Sequence, residues 1–174
     1  MFEKPEIPVP DGTDSKEVFA FYGLAMYNAQ VFEKGILNLI VAAKISDSVP
    51  VTGADVDEFF QQLDRKTLGH LLHVVRTHVP FSEDIEDRIA HALVRRNDLA
   101  HQYFWRRAAE FMTDEGRLIM LTELSQDVRD LSETDALITP ILFEYGTKFG
   151  MTEEFFARAY DEYRRDRGVA HVYA

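Results

Sequence analysis

Apolar residues recur at three- and four-residue intervals along almost the whole chain, and no segment alternates with period two for long enough to form a strand. The clearest case runs from Ser15 to about Ser46. There Val18, Phe19, Tyr22, Ala25, Met26, Ala29, Phe32, Ile36, Leu39, Ile40 and Ala43 follow helical spacing. That stripe is wider than a helix lying on a surface needs. It predicts burial on more than one side, inside a bundle or against a second subunit. At 174 residues and 46% apolar, the chain is long enough for one domain with a substantial core. The pattern predicts an all-α fold over 1–174, a bundle of long helices joined by short connections, with 1–13 a flexible, proline-bearing arm.

Punctuation places the remaining helices. Pro50 and Gly53 mark a break over residues 47–53, and a short helix follows from Thr52 or Gly53 to near Leu63. Another runs from about Lys66 to Val79, where Pro80 stops it. Ser82 is read as an N-cap, with Glu83 and Asp84 suited to the positive end of the helix dipole, for a helix reaching about Phe111. Thr113 caps the next, which continues to about Thr139; Pro140 either kinks it or opens a new helix. Thr152 caps the last, from Glu153 to about Arg167, and Gly168 ends it.

Charge and composition remove whole classes of function. Nineteen Lys and Arg against 30 Asp and Glu leave a net charge of -11, which opposes broad, non-specific binding to nucleic acid, DNA included. With no cysteine there is no disulfide framework, thiolate metal site or cysteine nucleophile. No glycine-rich phosphate loop, nucleophile elbow or zinc-finger pattern occurs, so no cofactor is expected. The start lacks the basic and apolar regions of a signal peptide, and the most apolar stretch, Ile36 to Ile45, is far short of the ~20 residues of a membrane span. These features predict a soluble, cytoplasmic protein without membrane contact.

One segment reverses the general charge. Between Arg88 and Arg107 lie five arginines and two histidines, with Asp98 the only acid. A cationic patch beside a titratable imidazole is what a phosphodiester substrate requires. At about 100° per residue, Asn97, His101 and Ala108 share one helix face, and Arg96, Ala100, Tyr103 and Arg107 a neighbouring one. Arg96 and His101 differ in direction by roughly 140°, so they flank one groove but do not stack. Asn97, one turn before His101, is placed to orient its ring.

The run Arg96-Asn97-Asp98-Leu99-Ala100-His101 resembles the signature of the HEPN superfamily, and Tyr103 extends it to the Arg–four–His–x–Tyr form of HEPN toxins paired with nucleotidyltransferase antitoxins. The likeness covers one helix and a compatible all-helical layout. It implies a helical bundle that dimerises, and metal-independent endoribonuclease activity in a toxin or defence setting, with the motifs of two subunits lining one cleft. In that reading Arg96, Asn97 and His101 are the catalytic group. Arg95, Arg106 and Arg107 contact RNA, and Tyr103 is a supporting or modifiable residue. His101 would move a proton at the 2′-hydroxyl or the leaving 5′ oxygen, giving a 2′,3′-cyclic phosphate, while Arg96 stabilises the phosphoryl charge.

Other readings stand beside this one. Arg65 to His70 and Arg165 to His171 also have motif-like spacing, but the first contains Gly69 and the second straddles Gly168. His70, His73 and His78 lie close in sequence without the two Glu-x-x-His elements of a di-iron bundle, so no metal is expected. Tyr103, Phe104 and Trp105 are read as core or interface, and Glu123, Asp127 and Asp130 as a solvated face. The rival function is a non-catalytic helical interaction or regulatory protein built on the same bundle.

Overall fold

The computed structural model describes residues 7–46, 58–59, 61–63, 68–150 and 152–166. The expectations for residues 47–53, for helix starts at Thr52, Gly53 and Lys66, and for the helix end at Gly168 lie outside them. So do the first half of Arg65–His70 and the end of Arg165–His171. The described residues form α1 (Ser15–Ser46), α2 (Leu68–His78), α3 (Glu83–His101), α4 (Tyr103–Arg106), a 3-10 turn (Glu110–Met112), α5 (Asp114–Thr147) and α6 (Glu153–Asp166). No strand occurs among them, and the fold is an all-α bundle. None of the described helices is long and apolar enough to cross a membrane.

Helices α1 and α5 hold 32 and 34 residues, each about 50 Å long at 1.5 Å per residue, and they form the main packing pair. The first half of α1 is buried on one side, through Val18, Phe21, Ala25, Ala29 and Phe32. From Ile36 to Ile45 burial becomes nearly all-round, because α2 and α5 cover it as well. The apolar stripe read from sequence is largely this buried set, but Phe21 replaces Phe19 in the core. Phe19 stays half exposed, its ring against Phe104 and Phe111. Gly35 lets α1 approach α5: a Cβ there would lie 2.9 Å from Asp135 Oδ1 and 3.2 Å from Ile138 Cδ1.

Local signals worked where the chain itself satisfies them. Thr113 accepts the Gly116 N–H at 3.0 Å, capping α5, and Thr152 accepts the Phe155 N–H at 3.3 Å before α6. Ser82 occupies the N-cap position of α3 without a side-chain cap bond, leaving Glu83, Asp84 and Glu86 to serve the dipole. Pro140 neither stops α5 nor opens a new helix. Pro140 and Ala136, whose carbonyl it leaves without the helical bond, both lie on the exposed face, where water can serve that oxygen.

Helix α3 ends at His101, ten residues before the predicted boundary. The Gln102 N–H still reaches the Asp98 carbonyl at 2.8 Å, but the next carbonyl, Leu99, accepts the Tyr22 hydroxyl of α1 at 2.8 Å. A side chain inserted into the backbone ladder interrupts a helix. The chain resumes as α4, over which Tyr22, Tyr103, Phe104 and Phe111 pack ring to ring. Of the expected N-terminal arm, residues 7–13 lack regular structure but are tied down. Ile7 packs on the core, and the Thr13 carbonyl accepts from Arg117 at 2.6 Å.

Candidate functional site

The motif occupies the last two turns of α3, at the edge of the break rather than in a helix interior. Arg96 is held from α1: its Nη2 and Nε donate to Glu33 Oε2 at 2.7 and 3.2 Å, leaving the side chain 25% exposed. Its Nη1 also donates to Asn97 Oδ1 at 3.2 Å. Asn97 therefore meets Arg96, and no bond joins it to the imidazole. His101 is exposed, and its side chain takes part in no hydrogen bond or ion pair among the described residues.

Tyr103 belongs to the core. It is 1% exposed, and its hydroxyl donates to the Met120 carbonyl of α5 at 3.2 Å. Burial, reinforced by the fields of Glu123 and Asp127, pushes its acidity well below that of a free phenol, so it stays neutral. In this fold a modifying enzyme has no access to that oxygen.

Arg95, Arg106 and Arg107 turn inward to acids. Arg95 forms a two-pronged pair with Asp127, 2.6 Å on each prong, and Arg106 one with Asp98 at 2.6 and 3.2 Å. Arg107 donates to Glu110 at 3.0 Å. All three also reach Glu123, at 3.2, 3.0 and 2.9 Å respectively. Glu123 is thus a shared hub; Arg106 and Arg107 each keep one further carboxylate, and Arg95 keeps two, Asp127 and Asp98. Asp98 and Arg106 stand on either side of the α3–α4 break and clamp it. The acids expected on a solvated face are corrected here: Asp127 is 3% exposed and Glu123 mostly covered. Their i, i+4 spacing on α5 turns both toward the arginines. The cationic stretch in the sequence is therefore a neutralised lock between α3, α4 and α5.

Electrostatics follow the geometry. Burial raises the Glu123 carboxyl, but hydrogen bonds from Arg107 and Arg106 outweigh it, and the group stands below its usual 4.5. A carboxylate depressed in the fold contributes stability above its unfolded pKa and loses it as pH falls through the folded value. The stability difference between wild type and Glu123→Gln, followed by denaturant titration from pH 7 to pH 3, is expected to shrink progressively below about pH 4.5. Asp127 is shifted the opposite way by burial, with the Glu123 charge adding to the shift, so Glu123→Gln also relieves part of it. A difference that does not change with pH would mean that Glu123 is not ion-paired in solution.

An open cavity of about 270 Å³ between α3 and α5 lies away from the motif, lined by Asp84, Asp87, Arg88, His91, Asp130 and Thr134. Among the described residues no three His, Asp or Glu side chains converge as a metal site. Sequence reasoning missed Glu33, Glu110 and Glu123 as partners of the arginines. Trp105, read as core or interface, is not core: it is 85% exposed in this chain. The acids at 123 and 127 carried a usable signal, an i, i+4 pair of the right sign. Glu33 carried none, since its role depends on how α1 crosses α3. Scans of family models, of curated proteins and of solved structures each find no match to this chain.

Proposed function

We propose that the protein is a metal-independent endoribonuclease resembling HEPN toxins, acting as a homodimer in a toxin or defence setting with a nucleotidyltransferase-type antitoxin. The observation that carries this reading is the state of His101: an exposed imidazole with no hydrogen-bond or ion-pair partner among the described residues, one turn from Asn97, whose Oδ1 accepts from Arg96. RNA brings its own nucleophile. One His101 takes the 2′-hydroxyl proton, the 2′ oxygen bonds to phosphorus, and the P–O5′ bond breaks. The second copy's imidazole protonates the departing 5′ oxygen, leaving a 2′,3′-cyclic phosphate. Arg96 steadies charge on the non-bridging oxygens, and Glu33 holds that guanidinium in place. Phosphate contact rests on Arg96, which pairs with the single carboxylate of Glu33, whereas Arg95, Arg106 and Arg107 each meet two or more carboxylates.

Purified protein in chelator is expected to cut RNA into fragments with cyclic phosphate ends. Arg96→Ala and His101→Ala should each lower the rate by about 10²-fold or more while unfolding at the wild-type midpoint. Full activity in either variant, or no cleavage of any RNA by wild type, would defeat the proposal. The neutralised arginines favour a second reading, a non-catalytic helical interaction protein. It predicts inert RNA under all these conditions.

A further inference from the structure

Three guanidiniums converge on one carboxylate where α3, α4 and α5 meet. Arg95 Nη2 and Arg106 Nη2 donate to Glu123 Oε1 at 3.2 and 3.0 Å, and Arg107 Nε donates to Oε2 at 2.9 Å. None of the three relies on Glu123 for its place. Asp127 grips Arg95 and Asp98 grips Arg106, each on two prongs, while Glu110 holds Arg107. In Arg95 and Arg106 the same Nη2, which carries two hydrogens, reaches both its own acid and Glu123. The Arg106 guanidinium is also backed by the Tyr103 ring, 5.6 Å from its centroid.

Withdrawing the Glu123 side chain would therefore leave three N–H donors, held in place by other acids and aimed at one position. Charged donors stripped of an acceptor are costly, so that position demands an anion. Its field has the matching sign: burial pushes the Glu123 carboxyl up, yet the arginines hold it below its usual value. Three guanidiniums face the four carboxylates of Asp98, Glu110, Glu123 and Asp127, and only Glu123 meets all three. Removing that one charge makes the cluster neutral, and a singly charged oxyanion restores the count. Access selects a small ion. The side chains of Arg95, Arg106 and Arg107 are 18, 38 and 21% exposed and that of Glu123 20%, so the position is recessed but open to solvent. Phosphate suits it, because its oxygens accept from several guanidiniums at once.

We propose that Arg95, Arg106 and Arg107 form a binding site for a small phosphate group, which the Glu123 carboxylate fills as an internal ligand. The contact is autoinhibitory: phosphate enters by displacing the Glu123 side chain toward solvent. The site shares no residue with Arg96, Asn97 and His101, and it stands whether or not the chain cleaves RNA.

The probe is inorganic phosphate, titrated into the full chain and followed by the width of its 31P resonance, with chloride added to keep ionic strength constant. Wild type is expected to broaden the resonance saturably. Glu123→Ala, which removes the competitor, should do so at a concentration about tenfold or more lower. Adding Arg106→Gln to Glu123→Ala should abolish the gain. Arg88→Gln, which breaks only exposed pairs with Asp84 and Glu133, should leave wild-type binding unchanged. Methyl phosphate is the companion probe. Equal broadening by it assigns phosphate esters to the site, and broadening by the free ion alone assigns inorganic phosphate. Wild type carries the test even where Glu123→Ala does not fold, because Arg106→Gln by itself should remove its broadening. The proposal is overturned by any of four results: wild type that never broadens the resonance, Glu123→Ala no tighter than wild type, binding that survives Arg106→Gln, or binding of an oligonucleotide without binding of either small probe.

Discussion

Gly116→Ala is expected to destabilise the protein by about 3 kcal/mol or more, in the upper range for inserting one methyl into a packed site. A Cβ at this position would sit 2.1 Å from the Glu110 carbonyl oxygen, 2.5 Å from its Cα and 2.6 Å from its carbonyl carbon. These are backbone atoms and cannot rotate aside as a side chain would. The obstruction is held from several directions. Thr113 caps the Gly116 N–H, Arg107 bonds both Glu110 and Glu123, and Tyr103 reaches Met120. Alanine is intrinsically the better helix former by about 1 kcal/mol, so the loss must appear against that gain. Relief requires residues 103–112 to lift from α5, which would separate Phe104 and Phe111 from Phe19 and Tyr22. Urea unfolding and near-UV circular dichroism read both effects. Stability within about 0.5 kcal/mol of wild type would mean that this segment does not lie on α5 as described.

Where residues answer to their own neighbours in sequence, the fold was legible before any coordinates. The limits of α1 follow from its stripe, and Thr113 caps as its position demands. Legibility failed where a residue's role depends on a partner far along the chain. Nothing near residue 102 announces that a hydroxyl 77 residues away takes the Leu99 carbonyl and breaks α3. The candidate site divides along the same line. Arg96, Asn97 and His101 could be picked out by type and spacing. The fate of Arg95, Arg106 and Arg107 could not, because a guanidinium bound for phosphate and one bound for a carboxylate look alike in sequence. The same blindness applies to Trp105. Aromatic residues are usually core, and only the packing of Tyr103 and Phe104 on Tyr22 leaves the third ring outside.

Asp127→Ala should cost about 1–3 kcal/mol, because Arg95 loses its closest partner and keeps only the longer contacts to Asp98 and Glu123. An exposed pair such as Arg88–Asp84 is worth about 0–1 kcal/mol, so Asp84→Ala is the natural control. The difference lies in desolvation. Burial pushes the Asp127 carboxyl above its ordinary value even with Arg95 bonded to it, so the pairing does not fully offset the removal of that charge from water. The pair is then expensive to break and cheap to replace as a unit. Arg95→Met with Asp127→Leu should recover most of what Asp127→Ala loses, as measured by urea unfolding at pH 7. Recovery would show that the lock fixes how α3 meets α5 without supplying much net stability. A double variant as unstable as Asp127→Ala would point instead to Asp98 and Glu123, which also contact Arg95 and would lose a shared donor. A loss below about 1 kcal/mol in Asp127→Ala itself would mean that the arginines are solvated after all and free to meet an anionic ligand.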